Sequence, residues 1–78
     1  MIPNVGDEIV YRHRQFEDYK STVASVLYGQ ILLLDVHVRI NKNVVKPVRI
    51  RPGNHDARFW ADANTWALPC EHRARYGA

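Results

Sequence analysis

Seventy-eight residues, of which 46% are hydrophobic and 24% charged, suffice for one folded domain and are too few for two. This composition argues against a disordered chain, and the longest apolar run, Ile31 to Leu34, is too short to cross a bilayer. The 11 lysines and arginines outnumber the 8 acidic residues, which favours anionic partners.

The single cysteine, Cys70, cannot form an internal disulfide, and this favours a reducing compartment. The first residues do not combine the basic and apolar segments of a signal peptide. We therefore predict a cytoplasmic location and one domain over 1–78, with a flexible polar tail over 71–78.

Runs rich in β-branched and aromatic residues predict five short strands. Gly29-Gln30 has the composition of a two-residue hairpin turn, and Asn41-Lys42-Asn43 predicts a second turn. Pro47 cannot donate to a sheet, so its strand needs a free edge or a bulge there. A helical turn is expected between residues 55 and 64. The predicted strands cover residues 8–12, 19–28, 31–40, 44–51 and 65–68.

The two predicted hairpins can be aligned by residue parity. A two-residue loop at Gly29-Gln30 places Leu27 opposite Leu32, and the second turn places Val36 opposite Val48. Both alignments give one inner face. It comprises Val23, Ser25, Leu27, Leu32, Leu34, Val36, Val38, Ile40, Val44, Val48 and Ile50.

Apolar side chains then remain on the outer face of the first of these hairpins, at Val26, Tyr28, Ile31 and Leu33. Three interpretations are open: cover by Phe59 and Trp60, an interface between copies of the chain, or a site for another protein. Such a small chain gains from association, because it buries only a modest core.

The order of turn, strands and helical turn, with Val48-Arg49-Ile50-Arg51-Pro52, resembles the SH3-like barrels, a group that includes KOW and Tudor domains and the type II dihydrofolate reductases. The resemblance covers residues 5–68 and implies an all-β, five-stranded barrel with a helical turn before the last strand. Those reductases carry Val-Gln-Ile-Tyr in a strand that lines their pore. Arg49 and Arg51 replace its Gln and Tyr, so reductase activity is not expected.

Basic and aromatic residues near the first loop and on the sheet indicate a possible nucleic-acid surface, because cations bind phosphates and aromatic rings stack on bases. Acidic neighbours Glu17, Asp18 and Asp35 interrupt this pattern. The candidates are Arg12, Arg14, Phe16, Tyr19, Lys20, Arg39, Arg49 and Arg51.

Metal and catalytic chemistry have weaker support. His55, Asp56, Cys70 and His72 are candidate metal ligands, but Cys70-Glu71-His72 is not the spacing of a structural zinc site. Cys70 with His55 or His72 is a conceivable nucleophile and base, without a nucleophile elbow or an orienting third group. No metal, cofactor or catalytic residue is predicted.

The tryptophans have two interpretations, a cage for a cationic ligand or a cap on the core. We favour the core role for Trp66 and leave Trp60 open.

The sequence therefore predicts a non-enzymatic module that binds a protein partner or a second copy of itself. The predicted interface is Val26, Tyr28, Ile31, Leu33 and Trp60. The alternative is a nucleic-acid-binding domain of the KOW or Tudor kind. A compact basic domain of this type suits an accessory protein of a phage or mobile element.

Overall fold

The computed structural model describes residues 2–14, 17–56 and 63–77. It has five strands and one helix, which confirms the mainly β class. The elements are β1 (Glu8–Arg14), β2 (Glu17–Leu27), β3 (Ile31–Asn41), β4 (Val44–Ile50), β5 (Thr65–Ala67) and α1 (Pro69–Tyr76).

The five strands form one antiparallel sheet in the order β4-β3-β2-β1-β5. β4 and β5 lie at its two edges. Within the described residues one isolated bridge, between His55 and Trp66, joins the segment after β4 to β5. Closure of the sheet into an SH3-like barrel therefore remains a prediction.

The core covers one face of this sheet. Side chains on a strand alternate between faces, so residues two apart in β1, β2 and β3 lie together on the core face. The predicted burial of Val23, Leu32, Leu34 and Val36 is confirmed. The buried apolar cluster comprises Ile9, Tyr11, Val23, Leu32, Leu34, Val36 and Trp66.

The register of the β3–β4 hairpin agrees with the sequence analysis. Val36 lies opposite Val48, and Asp35 lies opposite Arg49, whose Nε is 2.8 Å from Asp35 Oδ1. The register between these strands is constant over six consecutive residue pairs and then shifts between Arg39 and Asn41. Parity therefore identified both faces of this hairpin up to that shift, but the predicted inner-face residues Ile40, Val44 and Val48 are exposed and lie outside the core.

The register of the β2–β3 hairpin differs from the prediction. Leu27 lies opposite Ile31 and Val23 opposite Leu34, because Tyr28 joins the turn and the register shifts between Val23 and Ser25. The turn has positive φ at Tyr28 (53°) and Gly29 (69°).

The core face of β2 changes with that register. Ser25 and Leu27, expected inside, lie opposite Leu33 and Ile31 instead, while Val26 packs against the core. A shift of one residue turns each following side chain to the other face, so the expectation for these three residues was wrong.

The C-terminal segment forms a helix over Pro69–Tyr76, which the sequence did not predict, and the flexibility expected over 71–78 stays a prediction. Pro69 suits the first turn, and Glu71 Oε1 accepts a hydrogen bond from the Leu68 N–H at 2.7 Å. Contacts with Arg12 and Asp18 place α1 on the face of the sheet opposite the core. Of the helical turn expected between 55 and 64, residues 57–62 lie outside the described residues, and His55 makes the bridge to Trp66.

Candidate binding cleft

The β1–β2 hairpin and the β3–β4 hairpin separate from each other on the core face of the sheet. β2 pairs with β1 through residues 17–22, but its pairing with β3 starts at Ser21, opposite Val36. The first part of β2 and the last part of β3 therefore have no strand pairing with each other in the described structure. The position of this gap follows from the lengths of the strands, since β2 and β3 each continue past their shared ladder.

A cavity of about 150 Å³ lies at this separation, and we call it the hairpin cleft. One wall comes from β1 and β2 and the other from β3 and β4. Its lining is almost wholly apolar. The lining residues are Tyr11, His13, Glu17, Tyr19, Val36, Val38 and Ile50.

Both tyrosines of the cleft have their hydroxyl groups satisfied within the chain. Tyr11 Oη donates to Asn64 Oδ1 at 2.7 Å, and Tyr19 Oη donates to Glu17 Oε1 at 2.5 Å. Burial raises the pKa of Tyr11, and the hydrogen bond to Glu17, with a smaller effect of burial, raises the pKa of Tyr19. Both phenols therefore stay neutral in the physiological range, and their rings act as apolar walls.

The carboxylate of Glu17 is also engaged. Its Oε2 is 2.8 Å from Arg14 Nε, while its Oε1 accepts from Tyr19. The charge at this end of the cleft is therefore balanced inside the chain. A ligand in the cleft meets rings and methyl groups before it meets a free anion.

The apolar lining continues out of the cleft along the β3–β4 hairpin. Val38 is half-buried, while Val44 and Val48 are 44% and 42% exposed. Alternation from Val36 and Ile50 places these three valines on the core face, and we call them the valine strip. Val45 is 52% exposed but lies on the opposite face. The core face thus extends past the core and remains uncovered by the described residues.

Two lysines accompany the valine strip. Lys46 lies opposite Val38 on the same face, and Lys42 lies in the turn between the strands. Neither makes an ion pair within the described residues, in contrast to Lys20, Arg12, Arg14 and Arg49. The strip therefore combines apolar side chains with two available positive charges.

The predicted apolar interface is dispersed in the structure. Val26, expected outside, packs against the core, and Tyr28 lies in the turn with 90% of its surface exposed. Ile31 and Leu33 remain half-buried on the face opposite the core, and Trp60 lies outside the described residues. Because the β2–β3 register differs from the predicted one, the residues of the predicted interface do not share one face.

The predicted nucleic-acid residues also lie apart. Arg12 is 1% exposed and paired with Asp18, while Arg14, Lys20 and Arg49 face Glu17, Glu8 and Asp35. Tyr19 lines the cleft, and Phe16 is outside the described residues. Arg39 and Arg51 are exposed near opposite ends of the β3–β4 hairpin. The structure brings no row of cations and aromatic rings together from this set in the part that it describes.

The two histidines among the candidate metal and catalytic residues have other partners, and Cys70 is a free, exposed thiol. His55 stacks on Trp66 with ring centroids 4.3 Å apart, and its Nε2 is 2.7 Å from Glu71 Oε1. His72 Nε2 lies 3.3 Å from Asp18 Oδ2, and Cys70 is exposed on α1. The described residues contain no group of three or more histidine, cysteine or carboxylate side chains arranged to hold a metal ion.

Parity had identified Val38, Val44 and Val48 as inner-face residues, but not that this face extends beyond the core. Tyr11 and His13 escaped notice because their positions beside Tyr19 depend on the β1–β2 register. A strand longer than its partner is a signal for such an uncovered face. The sequence analysis ended β1 two residues early and began β2 two residues late, so this signal was missed.

Comparison with protein-family models, curated proteins and solved structures found no match to this chain. No helix among residues 2–14, 17–56 and 63–77 is long and apolar enough to cross a membrane.

Proposed function

We propose that this domain is a non-enzymatic interaction module that binds an apolar segment of a partner protein in the hairpin cleft and along the valine strip. The observation that carries the proposal is the continuity of the cleft with Val44 and Val48, which leaves apolar surface on the core face that residues 2–14, 17–56 and 63–77 do not cover. Uncovered apolar surface beside a formed cavity is typical of binding sites.

The size of the cleft favours a side chain over a larger cofactor. A cavity of about 150 Å³ holds a group of roughly the size of benzene. One aliphatic or aromatic side chain of a partner fills that space, and the valine strip then contacts the residues beside it. Burial of one such side chain contributes about 1.5–3 kcal/mol to binding.

The face of the β3–β4 hairpin is a better binding surface than the free edge of β4. Pro47 lies in the middle of that edge strand and has no N–H group to offer a new strand. The exposed valines lie on the face, so the partner gains most of its burial there.

The SH3-like classification belongs to the same proposal. The bridge between His55 and Trp66 supports it, because it joins the segment after the edge strand β4 to β5 at the other edge of the sheet. In such a barrel the cleft lies at the mouth, where ligands of small barrels commonly bind.

A random peptide display library selected on the intact protein tests the proposal. We expect enriched peptides that bind through an apolar residue. Val48→Glu should weaken their binding at least about tenfold, because a desolvated carboxylate costs more than about 1.4 kcal/mol. Fluorescence anisotropy with labelled peptides gives the dissociation constants.

Val45→Glu is the matched control, because Val45 lies on the same strand with similar exposure on the other face. It should change the dissociation constant by less than about twofold. The absence of any enriched peptide, or equal effects of the two substitutions, would overturn the proposal.

A further inference from the structure

We infer that the segment bound by the cleft is extended and acidic, with carboxylates flanking one apolar residue. This inference rests on the proposed function and specifies the chemistry of its partner. It is carried by the charges beside the valine strip and by the backbone groups at the separated edge of β3.

The charge on the binding face is unbalanced. Lys42 and Lys46 have no ion pair within the described residues, whereas the carboxylate of Glu17 is neutralised by Arg14. Arg39 Nη1 donates to the Lys42 carbonyl at 3.2 Å, which holds the turn that carries Lys42. A ligand with carboxylates beside its apolar residue complements this arrangement.

A second copy of the chain fits this face less well. It would bring two further lysines, and its one carboxylate at the cleft is already paired. The whole chain has a net charge of +3, so long-range repulsion opposes the same encounter. Charge complementarity thus selects an acidic partner over self-association.

The backbone of β3 favours an extended ligand. Pro47 lies opposite His37 and has no N–H, so it suits a non-hydrogen-bonded pair, in which the N–H groups point away from the partner strand. Arg39 lies two residues further along β3, opposite Val45. Because the two types of pair alternate, this pair is also of the non-hydrogen-bonded type. The N–H and C=O of Arg39 therefore point away from β4, towards the cleft side.

No pairing of Arg39 with β2 exists in the described structure, because the β2–β3 ladder ends at Val36. An extended segment can use these main-chain groups while its apolar side chain enters the cavity. Side chains alternate along an extended segment, so those two residues away share the cavity face and lie on the side of Lys46 and Lys42. The geometry joins three features: an open backbone position, a cavity for one side chain, and two cations.

The charge of selected peptides tests this inference. The display library is selected in parallel on the wild-type protein and on the double variant Lys42→Glu with Lys46→Glu. We expect acidic peptides from the wild type and basic peptides from the double variant. The affinity of an acidic peptide for the wild type should fall as salt rises, because salt screens exposed charges.

Arg51→Glu combined with Arg73→Glu is the control. This double variant changes the net charge by the same amount but away from the valine strip, so the selected peptides should still be acidic. Peptides without a charge bias, or a bias that the Lys42 and Lys46 substitutions do not reverse, would overturn the acidic preference. The proposed function would survive that result if Val48→Glu still abolished binding.

A single-stranded oligodeoxythymidine is included as a competing probe. We expect it to bind weakly and without response to Val48→Glu. Tight binding that depends on Lys42 and Lys46 but not on Val48 would replace both proposals with a nucleic-acid surface.

Discussion

Arg12 is the most deeply buried charge in the described structure. Its Nε and one terminal nitrogen lie 2.7 and 2.9 Å from the two oxygens of Asp18, and Tyr76 Oη is 2.8 Å from that terminal nitrogen. The hydrogen bond to Asp18 raises the pKa of Arg12 further above its usual value, against the opposite effect of burial. The residue therefore serves the attachment of α1 to the sheet.

Arg12→Ala should lower the free energy of unfolding by about 3 kcal/mol, because it leaves Asp18 beneath α1 with only the longer contact of 3.3 Å to His72 among the described residues. Urea unfolding followed by tryptophan fluorescence measures the change. Arg14→Ala is the control, since its pair with Glu17 is more exposed and contributes less than about 1 kcal/mol. Equal losses for the two variants would mean that the Arg12 pair is no more important than a surface pair.

Tyr28 has a backbone conformation that its side chain disfavours. Its φ of 53° lies in the left-handed region, and its ring is 90% exposed, so few contacts compensate. We expect Tyr28→Asn to stabilise the domain by about 0.5–1 kcal/mol, because Asn-Gly suits a turn with two positive φ angles. Thermal unfolding measures the gain.

Gly29→Ala serves as the opposing control for this turn. A Cβ at Gly29 meets no atom within 4 Å, so any loss comes from its φ of 69° alone. A loss of about 1 kcal/mol is expected. A destabilising Tyr28→Asn would show that the ring makes contacts that outweigh the backbone strain.

At the scale of elements, α1 depends on Glu71. Burial alone would raise the pKa of Glu71, but the hydrogen bonds from His55 and from the Leu68 N–H outweigh it, and the pKa lies below its ordinary value of 4.5. A carboxylate with a lowered pKa stabilises the fold above its unfolded pKa, and this contribution disappears as the pH falls through the folded pKa.

Glu71→Gln should therefore cost about 0.5–1 kcal/mol at pH 7 and little in acid well below pH 4.5. Urea unfolding of both proteins at the two pH values gives the difference. Glu8→Gln is the control, because Glu8 makes only an exposed contact of 3.7 Å with Lys20. A cost that is the same at both pH values would assign Glu71 a role independent of its charge.

The elements differ in how far sequence reasoning could define them. The β3–β4 register was predictable because alternating valines and one Asn-rich turn agree with each other. The β2–β3 register was not, because the shift near Ala24 has no glycine or proline to indicate it. Helix α1 was missed because it has no buried residue and hence no apolar periodicity.

The candidate site was likewise only partly predictable from the sequence. Residue parity alone placed the valines of the cleft on the inner face. The opposite wall, from β1 and β2, could be recognised only once the β1–β2 pairing was known. That the two walls separate is a property of strand lengths and sheet curvature, which single residues do not determine.

At the scale of the whole molecule, the surface is larger than the chain length requires. A compact monomer of this mass exposes roughly 4,900 Å², and this chain exposes 5374 Å². The β3–β4 hairpin, with six of its seven β4 residues exposed, contributes to the surplus.

We expect the free protein to be a monomer of 9.1 kDa over a hundredfold range of concentration, because its net charge and its two free lysines oppose self-association. Light scattering at low salt checks this. A dimer that Val48→Glu dissociates and Val45→Glu does not would make a second copy the occupant of the cleft.

The proline in β4 has a further consequence for crowded conditions. An edge strand rich in valine is a template on which sheets of different molecules can join into fibrils, and a missing N–H in its centre interrupts that growth. Pro47→Val should accelerate fibril formation, measured by thioflavin T fluorescence. Pro47→Lys also restores the N–H but adds a protective charge, so it should accelerate fibril formation less. The proposed binding face and a barrier to polymerisation thus lie on the same strand.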